Sequence, residues 1–198
     1  TLLSSVGATR EWSVDHPSYG GVTRHHPITF SDGRYGYVFA GVADVFDMHR
    51  FDPDDGPSGG WVELSVAGTI PGPRTYSYGI AIGTVGYLGF GKQDATELAD
   101  WWSFDTATQQ FKELSSFPGA ARHHPAMVAV PSDRSAGLEW FIYVGCGSSD
   151  LGNLKDWWEY SVADDAWTQR ADLPGPARHH PYYWDAAEPG GTHGASPG

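Results

Sequence analysis

Strand-length runs of apolar and aromatic residues alternate with turn-forming residues along most of this chain. Between residues 122 and 177 the runs read "AMVAV", "WFIYVGCG", "WWEYSV" and "AWTQRA", and glycines or Asp/Ser clusters separate them. Short runs rich in β-branched and aromatic residues, bounded by turn formers, are typical of β-strands. The pattern therefore predicts an all-β protein with four strands in this stretch.

The same pattern recurs at a regular interval. Four arginines, Arg24, Arg74, Arg122 and Arg178, follow one another at spacings of 50, 48 and 56 residues. Each of the first three precedes a tyrosine, a glycine four residues beyond it and an aspartate three residues further on: Tyr37, Gly41 and Asp44; Tyr87, Gly91 and Asp94; Tyr143, Gly147 and Asp150. A single four-stranded sheet cannot bury both of its faces, so we expect such units to stack on one another.

Further motifs complete each unit and suggest a family. The segments "DMHRFD", "DWWSFD" and "DWWEYS" follow the aspartate, and a later aromatic residue and a Pro/Gly turn such as "PGPR" lead to the next arginine. From about Arg10 to Trp184 the chain resembles kelch repeats, in which four-stranded blades are arranged radially in a β-propeller. Kelch blades usually carry a double glycine after the second strand, whereas this chain has "FAG", "GFG" and "GCG".

The resemblance implies a partial β-propeller of three complete four-stranded blades, over residues 24–73, 74–121 and 122–177, with a half-blade at each end. The segments "REWSV" and "RHHPYYW" predict flanking strands over 10–15 and 178–184. We expect this propeller segment to occupy residues 1–188, followed by a flexible Gly/Pro-rich tail over 189–198. Since propellers close with four to eight blades, the missing blades would come from the same chain or from a second copy.

Six of the nine histidines lie in three copies of Arg-His-His-Pro. The kelch resemblance places residues just after each arginine at one mouth of the central channel. It therefore implies that His26, His124 and His180 surround one axis. The second repeat departs from the motif, with Thr75 and Tyr76 at the equivalent positions. The predicted binding residues are Arg24, His25, His26, Tyr76, Arg122, His123, His124, Arg178, His179 and His180.

Several kinds of chemistry suit such a mouth. Imidazoles and arginines could bind a protein or carbohydrate partner. Alternatively, each motif is a structural turn in which one histidine bonds a neighbouring carbonyl and the arginine ties adjacent blades. Neighbouring strand residues point to opposite faces, so a Zn²⁺ or Cu²⁺ ion would need histidines from different blades, His26, His124 and His180. We expect no cofactor and keep this metal site as an alternative.

Three other features of the sequence have both a functional and a structural interpretation. Asp44, Asp94 and Asp150 could ligate Ca²⁺, although a turn-capping role is the preferred interpretation. The paired tryptophans Trp101-Trp102 and Trp157-Trp158 should pack against opposite faces of their sheet. Cys146 is interpreted as a small core residue, because no activating partner is identifiable in the sequence and "YVGCG" does not match the cysteine motif of the kelch-like copper radical oxidases.

Composition narrows the choice of function. The chain is 40% hydrophobic and 18% charged, with a formal net charge of −12 and a single cysteine. This acidic balance argues against nucleic acid and against anionic membrane surfaces, and no apolar run approaches the length of a membrane helix. We therefore predict a non-catalytic binding or scaffold module, with a slight preference for a secreted or organellar location. The alternatives are a metal-dependent, copper oxidase-like or sugar-modifying enzyme and a purely structural repeat protein.

Overall fold

A computed structural model describes residues 16–41, 45–132 and 138–181 of the chain. These ranges contain sixteen β-strands and no helix. The strands are β1 (Ile28–Ser31), β2 (Gly36–Phe39), β3 (Met48–Asp52), β4 (Gly60–Leu64), β5 (Tyr78–Ile82), β6 (Val85–Gly89), β7 (Lys92–Gln93), β8 (Thr96–Glu97), β9 (Trp101–Asp105), β10 (Gln110–Glu113), β11 (Ala126–Ser132), β12 (Glu139–Gly145), β13 (Ser148–Ser149), β14 (Gly152–Asn153), β15 (Trp157–Ser161) and β16 (Ala166–Arg170). No described segment is an apolar helix of membrane-spanning length.

Twelve of these strands form three antiparallel sheets, each with four strands in chain order. Sheet 1 is β1-β2-β3-β4, sheet 2 is β5-β6-β9-β10 and sheet 3 is β11-β12-β15-β16. The register repeats as well: the recurring tyrosines Tyr37, Tyr87 and Tyr143 lie opposite Phe30, Ile80 and Val128. The prediction of an all-β chain with repeated four-stranded units is confirmed.

Sheet 2 lies between sheets 1 and 3 and contributes to two separate cores. Its side chains Leu88, Trp102 and Phe104 pack against sheet 1, whereas Tyr87 and Trp101 pack against sheet 3. Successive strand residues point to opposite faces, and this alternation separates the two adjacent tryptophans as expected. The sheets therefore stack face to face, and the aromatic residues of β9 fill both interfaces.

The residues after each second strand have left-handed backbone conformations. Ala40, Phe90 and Cys146 have φ angles of 55°, 64° and 56°, although residues with a Cβ disfavour this region. The glycine that follows is also left-handed, and a Cβ on Gly91 would lie 2.5 Å from the carbonyl oxygen of Thr75. The chain thus keeps a two-residue left-handed corner where only the second position requires glycine. The side chains at the first position are buried and contribute to the core.

The predicted flanking strand over residues 178–184 needs correction. Its described part, residues 178–181, is a turn, and in the other three repeats the first strand likewise begins only after the equivalent segment. The reason is that the second residue after each arginine has a left-handed φ, which interrupts an extended strand. Residues 182–184, the predicted strand over 10–15 and the tail over 189–198 lie outside the described residues.

Candidate functional site

Four equivalent segments, each of which begins at a recurring arginine, converge in space. We call them the leading turns: residues 24–27, 74–77, 122–125 and 178–181. Their third residues, His26, Tyr76, His124 and His180, form one group of rings, which we call the histidine cluster. Ring centroids are 3.3 Å apart for His124 and His180, 4.7 Å for Tyr76 and His124, 4.8 Å for His26 and Tyr76, and 5.0 Å for His26 and His124.

All four cluster residues share an unusual backbone conformation. The φ angles of His26, Tyr76, His124 and His180 are 54°, 62°, 51° and 51°. Left-handed backbone at a bulky residue is strained, and such strain persists only where surrounding contacts hold it. One of these contacts joins neighbouring turns directly, because the backbone N–H of His124 donates to the carbonyl of Tyr76 at 3.0 Å.

Buried arginines hold the leading turns in place. Arg122 donates two hydrogen bonds to Asp156, at 2.8 and 2.6 Å, and others to the carbonyls of Ala120 and Cys146. Arg74 repeats this arrangement with Asp100, and Arg24 pairs with Asp47 at 2.7 Å. The bidentate pairing fixes the planar guanidinium as well as its charge. These arginines therefore position the turns.

The arginine residues contribute to the junctions between repeats. The structural interpretation expected each arginine to tie adjacent blades. The side chains of the three buried arginines pair with aspartates of their own repeats, but the guanidinium of Arg122 also lies 4.7 Å from the ring centre of Phe117 in the preceding repeat. The arginine backbone joins adjacent repeats as well: the N–H groups of Gly41, Gly91 and Gly147 donate to the carbonyls of Arg74, Arg122 and Arg178 at 2.8 to 2.9 Å. Arg178 is exposed, and its Nε donates to the carbonyl of Pro176.

The three partner aspartates are structural positions that the sequence analysis did not identify. An aspartate recurs directly before the third strand of each sheet: Asp47, Asp100 and Asp156. The recurrence of one arginine and one such aspartate in each of these repeats is the sequence signal that could have predicted the ion pairs. Burial opposes ionisation of Asp100 and Asp156, but hydrogen bonds and charge from their arginines hold the pKa of both carboxyls below the usual value. They are thus charged partners in buried ion pairs.

The first histidine of a leading turn has a different role from the second. Nδ1 of His123 hydrogen-bonds Glu97 at 2.9 Å, and Nδ1 of His179 lies 3.0 Å from Oδ1 of Asn153. Both partners lie in small two-stranded hairpins, β7–β8 and β13–β14, that follow the second strand. His25 contacts His26, with 3.1 Å between the two Nδ1 atoms. At the second and third sheets, the first histidine therefore anchors a hairpin by bonding a side-chain oxygen and not a backbone carbonyl.

His124 is the buried centre of the cluster. Its side chain is 4% exposed, and neither ring nitrogen has a hydrogen-bond partner among the described residues. Burial and then the charges of neighbouring histidines, His180 first, lower the pKa of His124 to about 3. Burial and nearby histidines also lower the pKa of His26 and of His180. The three rings are therefore neutral at pH 7, with lone pairs available.

Three ring nitrogens of this cluster could share one ion. One nitrogen each from His26, His124 and His180 lie within 4.8 Å of one another, the one such group in the described part of the chain. Asp94 and Asp150 lie in exposed turns of the small hairpins and take no part in it, and Asp44 lies outside the described residues. Within residues 16–41, 45–132 and 138–181, Asp94 and Asp150 belong to no group of metal-ligating side chains, and turn capping remains the preferred interpretation of these aspartates.

Cys146 is placed in the core between strands. Its side chain is 2% exposed, and burial raises the pKa of its thiol. A neutral, enclosed thiol is a poor nucleophile. The position agrees with the interpretation of Cys146 as a small core residue.

Acid should destabilise the metal-free protein before its carboxylates titrate. Because the folded pKa of His124 is about 3 and its ordinary value is 6.5, the unfolded chain binds a proton that the folded chain does not. Stability from this group is complete above pH 6.5 and is lost as the pH falls towards 3, by at most about 1.4 kcal/mol per pH unit. The urea concentration at the unfolding midpoint should fall as the pH is lowered from about 7.5 to about 4.5. The fall should be shallower for His124→Leu. A midpoint that is constant over this interval would contradict the expectation.

Comparison with known proteins supports the fold and leaves the family open. No family model matches the sequence, and no curated protein matches it significantly. Solved structures do match, in 129 chains. One is the structure of YjhT, which aligns with a TM-score of 0.65 at 16% sequence identity over 82% of this chain. The aligned region spans 56% of YjhT, so this chain is similar in fold to about half of that protein.

Proposed function

We propose that this chain is a segment of a kelch-type β-propeller that acts as a non-catalytic binding module. Its recognition surface is the histidine cluster, and its partner is a protein or a carbohydrate. The observation that carries the proposal is the convergence of four leading turns, from four successive repeats, on one group of rings.

The packing of the sheets supports a radial arrangement. The first strands of the three sheets, β1, β5 and β11, lie next to one another, with β5 in contact with both of the others. Successive sheets stack face to face through the two aromatic cores. Blades that fan around an axis bring their first strands together in this way, and the turns before those strands then surround the axis.

The cluster has the chemistry of a recognition site. His180 is exposed, His26 and Tyr76 are half-buried, and His124 lies at the base. Imidazoles both donate and accept hydrogen bonds, and the tyrosine ring offers a flat face that suits a sugar or an apolar side chain. Arginines and the first histidines already hold the turns, so stability does not demand four aromatic rings at the centre. This division of roles favours binding over the purely structural interpretation.

Binding assays on matched variants test the proposal. Tyr76→Ala and His180→Ala alter the cluster, and Val62→Ala changes an exposed residue of β4 as a control. Each protein would be applied to a glycan array and used for affinity capture from extracts of the native source. We expect a glycan or protein bound by the wild type and by Val62→Ala to lose at least about tenfold in affinity with either cluster variant, an ordinary effect for a central interface residue.

The same variants separate the alternatives. Their melting temperatures should stay within a few degrees of the wild type, since neither side chain is fully buried. Cluster variants that bind as well as the wild type would refute the proposal. Variants that lose stability but no partner would support the purely structural interpretation.

A further inference from the structure

We propose that His26, His124 and His180 form a binding site for a divalent transition-metal ion, Zn²⁺ or Cu²⁺. The proposal deepens the proposed function by naming a ligand of the histidine cluster, and it rests on that function only for the role of the site in recognition. Affinity for the metal itself is measured without any partner.

The donor atoms have a suitable arrangement. One ring nitrogen from each histidine lies within 4.8 Å of the other two. In a tetrahedral zinc site, with Zn–N distances near 2.0–2.1 Å, the nitrogens lie about 3.3 Å apart. Binding would need the nitrogens to approach by up to about 1.5 Å. His180 is exposed and His26 is half-buried, so both side chains have room to adjust. Three ligands from three repeats also avoid the unsuitable geometry of two neighbouring histidines.

The chemistry of the donors selects the ion. Imidazole nitrogen suits Zn²⁺ and Cu²⁺, whereas Ca²⁺ and Mg²⁺ need several oxygen ligands. The group holds no carboxylate. The net charge of −12 attracts cations in general, and the three imidazoles determine which cation is retained.

His124 supplies independent evidence for a ligand. It is 4% exposed, and both of its ring nitrogens lack a hydrogen-bond partner among the described residues. Buried polar atoms are almost always satisfied, and an exception calls for an explanation such as an ion. A metal bound to one ring nitrogen of His124 would satisfy an atom that is otherwise left without a partner.

The site would link distant parts of the chain. His26 precedes sheet 1, His124 precedes sheet 3 and His180 follows sheet 3. A ligand that binds only the folded arrangement stabilises it. Three protein ligands also leave the fourth position of a tetrahedral ion for water or for a group from a partner, such as a carboxylate.

Zinc titration of the untagged chain tests the inference. The protein would be stripped with EDTA and titrated with Zn²⁺ in competition with a chromophoric chelator, and its melting temperature would be recorded with and without Zn²⁺. We expect one ion per chain and a rise in melting temperature. His26→Gln and His180→Gln should each weaken binding by at least about tenfold, since even loss of an outer-shell group has such an effect. His16→Gln, which replaces an exposed histidine outside the histidine cluster, is the control and should keep the wild-type affinity.

Two results would overturn the inference: no stoichiometric Zn²⁺ binding at micromolar concentration, or unchanged affinity in both His26→Gln and His180→Gln. The zinc experiment and the partner-binding experiment can fail independently of each other. Zinc binding that is lost in these variants while partner binding persists would sustain the metal site and refute the recognition role. Partner binding that is lost in a protein that holds no zinc would do the reverse.

Discussion

Arg122→Ala is expected to destabilise the protein by about 3–5 kcal/mol, because it leaves the charge of Asp156 largely buried and unpaired. The Arg122 side chain is fully buried, makes two hydrogen bonds to Asp156 and lies with its guanidinium 4.7 Å from the ring centre of Phe117. Domains of this kind are stable by only about 5–15 kcal/mol, so the loss is a large fraction of the total. Urea or guanidinium denaturation followed by circular dichroism measures it.

The chain contains its own control for this experiment. Arg178 occupies the same position of an identical Ala-Arg-His-His-Pro motif, but it is exposed and bonds the carbonyl of Pro176. Arg178→Ala should cost less than about 1 kcal/mol, as is usual for an exposed residue. If the two variants were equally stable, the buried ion pair would not have the role that we assign to it.

Trp101→Ala should be as damaging, for a different reason. Trp101 is fully buried between sheets 2 and 3, with ring centroids 5.4 Å from Trp167 and 5.6 Å from both Phe90 and Tyr160. Truncation removes an aromatic side chain from a close-packed interface and leaves a cavity, which usually costs about 3–5 kcal/mol. Guanidinium denaturation should show a lower midpoint, and the near-ultraviolet circular dichroism of the aromatic cluster should weaken.

Trp157 provides the matched comparison. It is the first tryptophan of the equivalent pair in β15 and lies opposite Gly145, as Trp101 lies opposite Gly89. Trp157 is only half-buried, so Trp157→Ala should cost no more than about 2 kcal/mol. If Trp157→Ala lost as much stability as Trp101→Ala or more, burial in the core between sheets 2 and 3 would not be what makes Trp101 important for stability.

Much of the fold could be predicted because strands and turns follow from short-range sequence patterns. Strand-length apolar runs, turn formers and the fifty-residue period predicted three units of four strands, and all three sheets lie within the expected bounds. Alternation along β9 predicted that Trp101 and Trp102 would face different sheets. The predicted strand over 178–184 was wrong in its described part. His180 has a left-handed backbone, and the side-chain type of a histidine does not reveal this conformation.

The meeting of His26, Tyr76, His124 and His180 was predictable from the sequence, but the different roles of the residues within the leading turns were not. The repeated motif identified the histidines, and the kelch resemblance implied that the second histidine of each pair would gather around one axis. The pairing of Arg122 with Asp156 spans 34 residues and depends on how the leading turn meets the third strand. Both residues recur in each of the first three repeats of the sequence, yet only the fold brought them together.

By itself, the sequence determined the repeat, the strands and the residue types that meet at the centre. The tertiary structure alone decided which histidine is buried. His124 and His180 lie in identical "ARHHP" segments, yet the first is 4% exposed and the second is open to solvent. Burial depends on the elements packed around a residue and not on its neighbours in the chain, so identical local sequence produced an enclosed imidazole in one repeat and an accessible one in the next.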